Sequence, residues 1–355
     1  DATATLEWLA AFPAMATQLQ DLLLALRRRK HTKSRLLAKT TATFLRNVMG
    51  TCKVDVVGEL MTHFRVIGRL LHDAWPLQMA PGNIVRRALF LVRRQVQALA
   101  KAPAREDSLP PAFDAGEAPD YGSVPCSDIK AGTIDGLNAI ISGLEDLSSP
   151  INKQAMTHIH ASEVVLTFGD DDLVREFLLA ASKHRKFEVY VAESAPSYGG
   201  HSLAVALATA DSAITATVIS DAAVFAIMSR VHKVIIGAHA VMGNGGLLLQ
   251  SGGFPIVLAA KANSVPVVCV TGMFKLCPLQ AHDYEPFNEL LNPAEVLSYV
   301  DADAPDSDTV EILNPAYDFI PPEEVDLLIT DLGGFLPSYI YRMLSDAYHV
   351  EDYKL

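Results

Sequence analysis

The run Val234, Ile235, Ile236, Gly237, Ala238, His239, Ala240, Val241, Met242, Gly243, Asn244, Gly245, Gly246 constrains the fold more than any other stretch of the chain. Three β-branched residues in succession predict a strand buried on both faces, and the Gly and Asn cluster behind them admits the φ > 0 conformations of a tight loop. A strand covered on both faces belongs to a parallel sheet with helices on either side, and the second half of the chain repeats that alternation. Strand-like runs at Val164–Thr167, Phe187–Ala192, Ile214–Ile219, Lys233–Ile236, Pro266–Val270 and Leu327–Thr330 are interleaved with helical stretches at Leu173–His184, Ser202–Ala210, Ala222–Val231 and Phe254–Asn263. The expected class is α/β, with a Rossmann-like parallel β-sheet domain. In such sheets ligands sit at the carboxyl ends of strands. The loop at Asn244, Gly245 and Gly246 therefore either lines a small-molecule site or only lets strand, turn and helix pack closely; a lone glycine-rich turn is compatible with both.

The first half reads differently. Apolar residues recur at helical spacing, as in Leu19, Leu22, Leu23, Leu26 and in Val56, Val57, Leu60, Phe64, Ile67, Leu70, Leu71, with breaks near His31, Gly50 and Pro76–Gly82. About four helices in an N-terminal helical bundle are expected. The division that follows is a helical domain at 1–101, an acidic, proline-rich linker at 102–128, and the Rossmann-like domain at 129–355. That last domain is entered by a helix over 129–160 and interrupted by an acidic insertion at 283–308. Charge divides the same way: residues 1–101 carry 16 Lys and Arg against 6 Asp and Glu, a balance of +10, and the remainder carries −22 of the net −12. Opposite signs predict two surfaces with different partners. Arg86 and Arg93, and likewise Arg87 and Arg94, are seven apart and so share a helix face two turns along. They form either a solvated face or a surface that receives an acidic partner, because guanidinium forks match carboxylate and phosphate. Arg27 to Lys30 suit the C-terminal end of a helix dipole.

Motifs for cofactor chemistry are missing. After Thr167 the chain continues Phe168, Gly169, Asp170, Asp171, Asp172, and three carboxylates repel a pyrophosphate, so no dinucleotide cofactor is expected. His158 and His160 are two apart and point to different helix faces, which is not metal-ligand spacing, and no metal is expected. Cys52, Cys126, Cys269 and Cys277 form no CxxC pair and are expected as reduced thiols of an intracellular protein, Cys269 as a small core residue. Asp221, beside Ser220, is expected to cap the helix Ala222–Val231. The uncharged run Val234–Ala260 contains too many glycines, with Pro255, for a membrane span, and Asp1–Gln20 lacks the pattern of a cleavable leader.

Several segments carry a resemblance that runs nearly the whole chain. Gly82, Asn83, Ile84, Val85, Arg86, Arg87, then Thr157, His158, Ile159, His160, then Ser220, Asp221, Ala222, Ala223 with Met228, Ser229, Arg230, Val231 are similar to the regulatory subunits of eukaryotic translation initiation factor 2B. Among the alpha, beta and delta branches, Lys186, Phe187, Val191 to Pro196, Met273 to Leu276, Ile320 to Glu323 and Pro337 to Arg342 most resemble beta. The wider family includes isomerases of methylthioribose 1-phosphate and ribose 1,5-bisphosphate, which use a cysteine after an early strand and an aspartate in a Gly, Ala, Asp … Asn, Gly motif. Here Gly169 and His239 stand at those places, which implies an isomerase-like pocket (Gly169, His239, Asn244, Gly245, Gly246) without its acid and base.

The resemblance implies a non-catalytic, cytoplasmic subunit that scaffolds the exchange factor for initiation factor 2, alongside delta-, alpha-, gamma- and epsilon-type subunits. It would help to sense the phosphorylated alpha subunit of initiation factor 2, with Arg86, Arg87, Arg93 and Arg94 as candidate contacts. No cofactor, membrane or direct nucleic-acid partner is implied. Phe225, Met228, Tyr339 and Tyr341 are candidates for subunit contacts, and apolar spacing fits an ordinary core equally. Two rival functions remain: a sugar-phosphate isomerase or binder using the Asn244–Gly246 turn, and an RNA-binding protein using the basic bundle. The second lacks aromatics interleaved with Arg86–Arg94.

Overall fold

The computed structural model describes residues 2–29, 33–101, 121–210, 213–280, 288–298 and 311–355. Most of the proposed linker (102–120) and much of the acidic insertion (283–287 and 299–308) lie outside the described residues. The chain divides into two compact units, one formed by Asp1–Glu145 with Ser345–Leu355 and the other by Asp146–Leu344.

In the first unit, helices α1 (Ala2–Ala10), α2 (Pro13–Arg27), α3 (Ser34–Thr51), α4 (Val57–Ala74) and α5 (Met79–Lys101) are joined by α6 (Cys126–Glu145). The apolar residues that marked the bundle are its core: Leu19, Leu22, Leu26, Leu60, Phe64, Ile67 and Leu71 are all buried. Helix α6 was expected to lead into the second domain. Instead its Ile129, Thr133, Leu137, Ile141 and Leu144, spaced at three and four, complete the bundle. Two glycines let it approach α5: a Cβ on Gly132 would lie 2.4 Å from Gln95 Oε1, and one on Gly136 2.9 Å from Leu91 Cδ1. The single helix expected over 129–160 is broken after Glu145 into α7 (Ser148–Lys153) and α8 (Ala155–His158). Pro150 has no N–H to continue a helix from Asp146.

Four arginines were expected on a surface, and two of them are not there. Arg93 and Arg86 are 2% and 5% exposed, held by the chain's own last residues. Arg93 Nε donates to Asp352 Oδ2 at 2.8 Å and Nη2 to Glu351 Oε2 at 2.6 Å, while Nη1 donates to the Tyr121 hydroxyl at 3.0 Å. Arg65 Nη2 donates to Asp352 Oδ1 at 2.8 Å, and Arg86 Nη2 to the Tyr353 carbonyl at 3.0 Å. Asp352 has no exposed surface. Burial pushes its carboxyl up, but the bonds from Arg93 and Arg65 outweigh that and hold it below the usual carboxylate range. Removing one partner of such a pair costs about 3–5 kcal/mol, because the other charge stays buried. Arg87 is half-buried and Arg94 exposed.

The second unit opens with α7 and α8 and then alternates: β1 (Val164–Phe168), α9 (Asp172–Ser182), β2 (Phe187–Ala192), α10 (Gly199–Ala210), β3 (Ile214–Ile219), α11 (Val224–Ile227), β4 (Lys233–Gly237), β5 (Ala240–Val241), β6 (Leu247–Gln250), α12 (Gly253–Ala262), β7 (Val267–Val270), β8 (Tyr317–Ile320), β9 (Leu327–Thr330), β10 (Gly333–Phe335) and α13 (Ile340–Ala347). One sheet has the order β10-β9-β7-β4-β1-β2-β3, parallel except for β10. This is a doubly wound sheet, reversing its winding between β1 and β4 as the Rossmann-like expectation required. The expected helix Ala222–Val231 is only α11 flanked by two 3-10 turns, Asp221–Ala223 and Met228–Arg230. The antiparallel sheet β5-β6-β8 was not foreseen. It turns the glycine-rich loop after β4 into the tip of a hairpin whose second strand, Leu247–Gln250, pairs with Tyr317–Ile320.

One buried histidine gives the helical unit a pH dependence. The His63 ring lies 4.0 Å from that of Trp8, stacked within 2°, and its Nδ1 is 3.0 Å from Thr5 Oγ1, which ties α1 to α4. Burial, opposed by Glu59, holds His63 below its ordinary value of 6.5. A group whose folded pKa is depressed takes up its proton more readily when unfolded, so this contribution to stability is present above 6.5 and is lost as pH falls through the folded value. Both tryptophans of the chain, Trp8 and Trp75, lie in this unit. We expect fluorescence-monitored urea unfolding to show falling stability from about pH 7 to about pH 5, and His63→Phe to flatten that slope.

Candidate functional site

Doubly wound sheets place ligands where the winding reverses, at the carboxyl ends of the two central strands. Here these are the ends of β1 and β4, at Phe168–Gly169 and Gly237. The two strands pair only at Val165–Lys233 and Leu166–Val234, whereas β1 and β2 pair at five positions. Beyond Leu166 and Val234 the two strands no longer pair with each other, each continuing only on its outer neighbour, and the space between them is taken by side chains of the chain itself. Asp171 caps α9, accepting from the Leu173 N–H at 2.8 Å through Oδ1. Its Oδ2 accepts from Lys275 Nζ, also at 2.8 Å, and Lys275 is buried. Gly237 makes room for this carboxylate: a Cβ there would lie 2.6 Å from Asp171 Cβ, Cγ and Oδ2.

Gly169 is left-handed, with φ +77. Its N–H, which could otherwise point at a ligand, donates to Ser194 Oγ at 2.8 Å. Ser194 is fully buried and is itself fixed by Asp221, whose carboxylate accepts from the N–H groups of Ser194 at 3.0 Å and Ala195 at 2.8 Å. The expected role of Asp221 is thus corrected. Ser220 occupies the cap position and makes no side-chain cap bond, while Asp221 reaches across to clamp the loop after β2.

The remaining pocket candidates divide. A Cβ on Gly169 would lie 3.6 Å from Gln250 Oε1, Gln250 pairs with Tyr317 in the second sheet, and the His239 ring lies 4.6 Å from that of Tyr317. Gly169 and His239 are therefore neighbours across Gln250 and Tyr317. Asn244, Gly245 and Gly246 sit at the other end of β6 and serve packing. The Asn244 side chain accepts from the Gly246 N–H at 2.9 Å, and Gly245 adopts φ +88. Side chains at 245 and 246 would meet the Pro337 carbonyl at 2.5 Å and the Phe319 ring at 2.6 Å.

Isomerisation of a sugar phosphate moves a proton between adjacent carbons and needs an acid and a base at the substrate. Gly169 offers neither. Cys269 lies close enough to Lys275 and Asp171 to feel their charges, and burial pushes it up to about 12. It is a core residue, as expected, and not a nucleophile. Lys275 and Asp171 lie 104 residues apart, and no local pattern pairs them. The available signal is a lone charge, Lys275, in the otherwise uncharged run Val265–Cys277.

Of the subunit-contact candidates, Met228 is fully buried in the unit's own core, the second of the two readings that its spacing allowed. Phe225 and Tyr341 are 66% and 76% exposed, and Tyr339 is exposed and stacked on Phe335 at 5.2 Å. Among the described residues no helix is long and apolar enough to cross a membrane.

The crevice sets a test. Gly237→Ala should displace Asp171 from Lys275 and destabilise the α/β unit by about 1–3 kcal/mol in thermal or urea unfolding. Lys275→Met should then cost less in the Gly237→Ala background than in the unaltered protein; equal costs would show that the two positions are uncoupled.

Comparison with known proteins fits this geometry. The chain is 35% identical over 374 residues to the translation initiation factor eIF2B subunit beta of Dictyostelium discoideum, covering 94% of this chain and 95% of that one. It is 34% identical over 387 residues to its counterpart in Schizosaccharomyces pombe, covering 96% and 97%. The tetrameric eIF2B-beta2-delta2 complex from C. thermophilum contains a chain that superposes with a TM-score of 0.73 at 25% identity, covering 94% of this chain and 95% of that one. The sequence pattern of the initiation factor 2 subunit family matches residues 30–337, and the chain belongs to that family.

Proposed function

We propose that this chain is a non-catalytic, beta-type regulatory subunit of the exchange factor for initiation factor 2, working in the cytoplasm as a scaffold. The observation that carries the reading is the filled crevice. Where the fold would hold a ligand, Asp171 and Lys275 satisfy each other and Ser194 takes the Gly169 N–H, and the positions of the isomerases' acid and base hold Gly169 and His239. The isomerase alternative lacks its chemistry. The RNA-binding alternative loses two of its basic residues, Arg86 and Arg93, to the chain's own acidic end.

Assembly falls to the exposed apolar residues of the α/β unit. Phe225, Tyr339 and Tyr341 are large, exposed side chains of the aromatic kind enriched at subunit interfaces. The first partner is a delta-type subunit, by analogy with the beta2-delta2 complex that the chain resembles. Alpha-, gamma- and epsilon-type subunits complete the assembly. Arg87 and Arg94 keep the role first given to four arginines. They remain accessible on α5 for an acidic or phosphorylated partner, the alpha subunit of initiation factor 2.

Co-expression with a delta-type subunit followed by native mass measurement tests the assembly. A stoichiometric complex is expected, weakened at least tenfold by Phe225→Asp with Tyr341→Asp, and neither nucleotide exchange nor sugar-phosphate turnover from the chain alone. Arg87→Glu with Arg94→Glu should weaken capture of initiation factor 2 about tenfold or more while leaving the complex mass unchanged. Turnover of a pentose phosphate by the isolated chain would overturn the reading.

A further inference from the structure

The acidic end of the chain does not merely cover the bundle; it is read by it. Every residue from Glu351 to Tyr353 gives an acceptor to a different set of guanidinium donors on α4 and α5: Glu351 to Arg93, Asp352 to Arg93 and Arg65, and the Tyr353 carbonyl to Arg86. Beyond them Leu355 enters a notch floored by glycine. A Cβ on Gly68 would come within 2.9 Å of Leu355 Cδ1, and one on Gly82 within 3.6 Å. The flanking residues hold less firmly, since Val350 is 72% exposed and Lys354 is exposed. Charge-assisted forks at fixed spacing, followed by a side-chain pocket, are the ingredients by which a protein recognises an extended acidic peptide.

We propose that the face of α4 and α5 bearing Arg65, Arg86, Arg93, Gly68 and Gly82 is a peptide-recognition slot for an acidic segment of the pattern Asp-x-x-Leu. The chain's own His349–Leu355 occupies it as a tethered, exchangeable ligand. Val350, Glu351 and Lys354 are exposed on the side away from the helices, so the segment can leave without unfolding the helices behind it. Tethering gives it an effective concentration in the millimolar range, which keeps free peptides out while it is intact. The slot reads Asp352 as its central element and Leu355 as the second.

The test supplies the ligand in trans. A full chain ending at Tyr348 is titrated into a fluorescein-labelled peptide of residues 349–355 and followed by anisotropy. The expected result is saturable one-to-one binding, weakened about tenfold or more when the peptide carries Asp352→Ala, because hydrogen bonds to charged groups are lost. The unaltered chain should show no binding, its slot being filled. A helical truncated chain that leaves the peptide free, or binds the Asp352→Ala peptide equally well, overturns the proposal. Hydrogen exchange on the unaltered chain decides it without any variant. Residues 349–355 should exchange at least about a hundredfold faster than the buried amides of α5. Exchange of the segment only together with those amides would show that it is a fixed part of the bundle.

Discussion

The ion pair between Asp171 and Lys275 is the constraint on which the α/β unit turns. It stands where a doubly wound sheet must leave a gap, because β1 and β4 send their following helices to opposite faces. Most proteins of this architecture fill that gap with a ligand; here a carboxylate and an ammonium from the same chain fill it. The pair is coupled to its surroundings on every side. Asp171 also caps α9, Gly237 is bare so that Asp171 fits, and Cys269 lies in the same low-dielectric floor with its thiol protonated. A site so self-satisfied has nothing left to offer a substrate. The surfaces of the unit are then what remains for function.

The helical unit solves a related problem with the same chemistry. Arg86 and Arg93 on α5 are buried and Arg65 on α4 is half-buried, and the cost of taking these guanidinium groups from water is offset by an aspartate, a glutamate and a carbonyl that meet them. They arrive from the far end of the chain, 259 residues away from Arg93 in the case of Asp352. The unit is therefore not a product of its first hundred residues. Its apolar closure comes from α6, beyond the linker, and the acceptors that meet Arg65, Arg86 and Arg93 come from residues 351–353.

What the sequence disclosed follows from the range of each signal. The strands Phe187–Ala192, Ile214–Ile219 and Leu327–Thr330 were legible to the residue because β-branched runs between turn residues are local features. The seven-residue spacing of Arg86 and Arg93 placed them on one helix face and left open whether that face is solvated or meets an acidic group. It carried no information on whether the acid comes from another protein or from this one, since periodicity is blind to contacts distant in sequence. The same blindness hid the Asp171–Lys275 pair, the reach of Asp221 to the Ser194 loop, and the burial of Met228. The second sheet was missed for a different reason: Leu247–Gln250 follows so many glycines that the uncharged stretch reads as one long turn, and its partner Tyr317–Ile320 lies across the acidic insertion.

Gly237 also bears on what this scaffold could become. With Asp171 and Lys275 paired across the space that a side chain at 237 would need, the way to catalysis is closed more firmly than two missing groups would suggest. Restoring a thiol at 169 and a carboxylate at 239 would still leave the mouth stoppered by a lysine and an aspartate that each need the other. Reopening it would require at least one simultaneous change among residues that now hold the sheet together. Such interdependence keeps the crevice as architecture and leaves the outer surfaces of the unit as the places where substitutions are absorbed most easily.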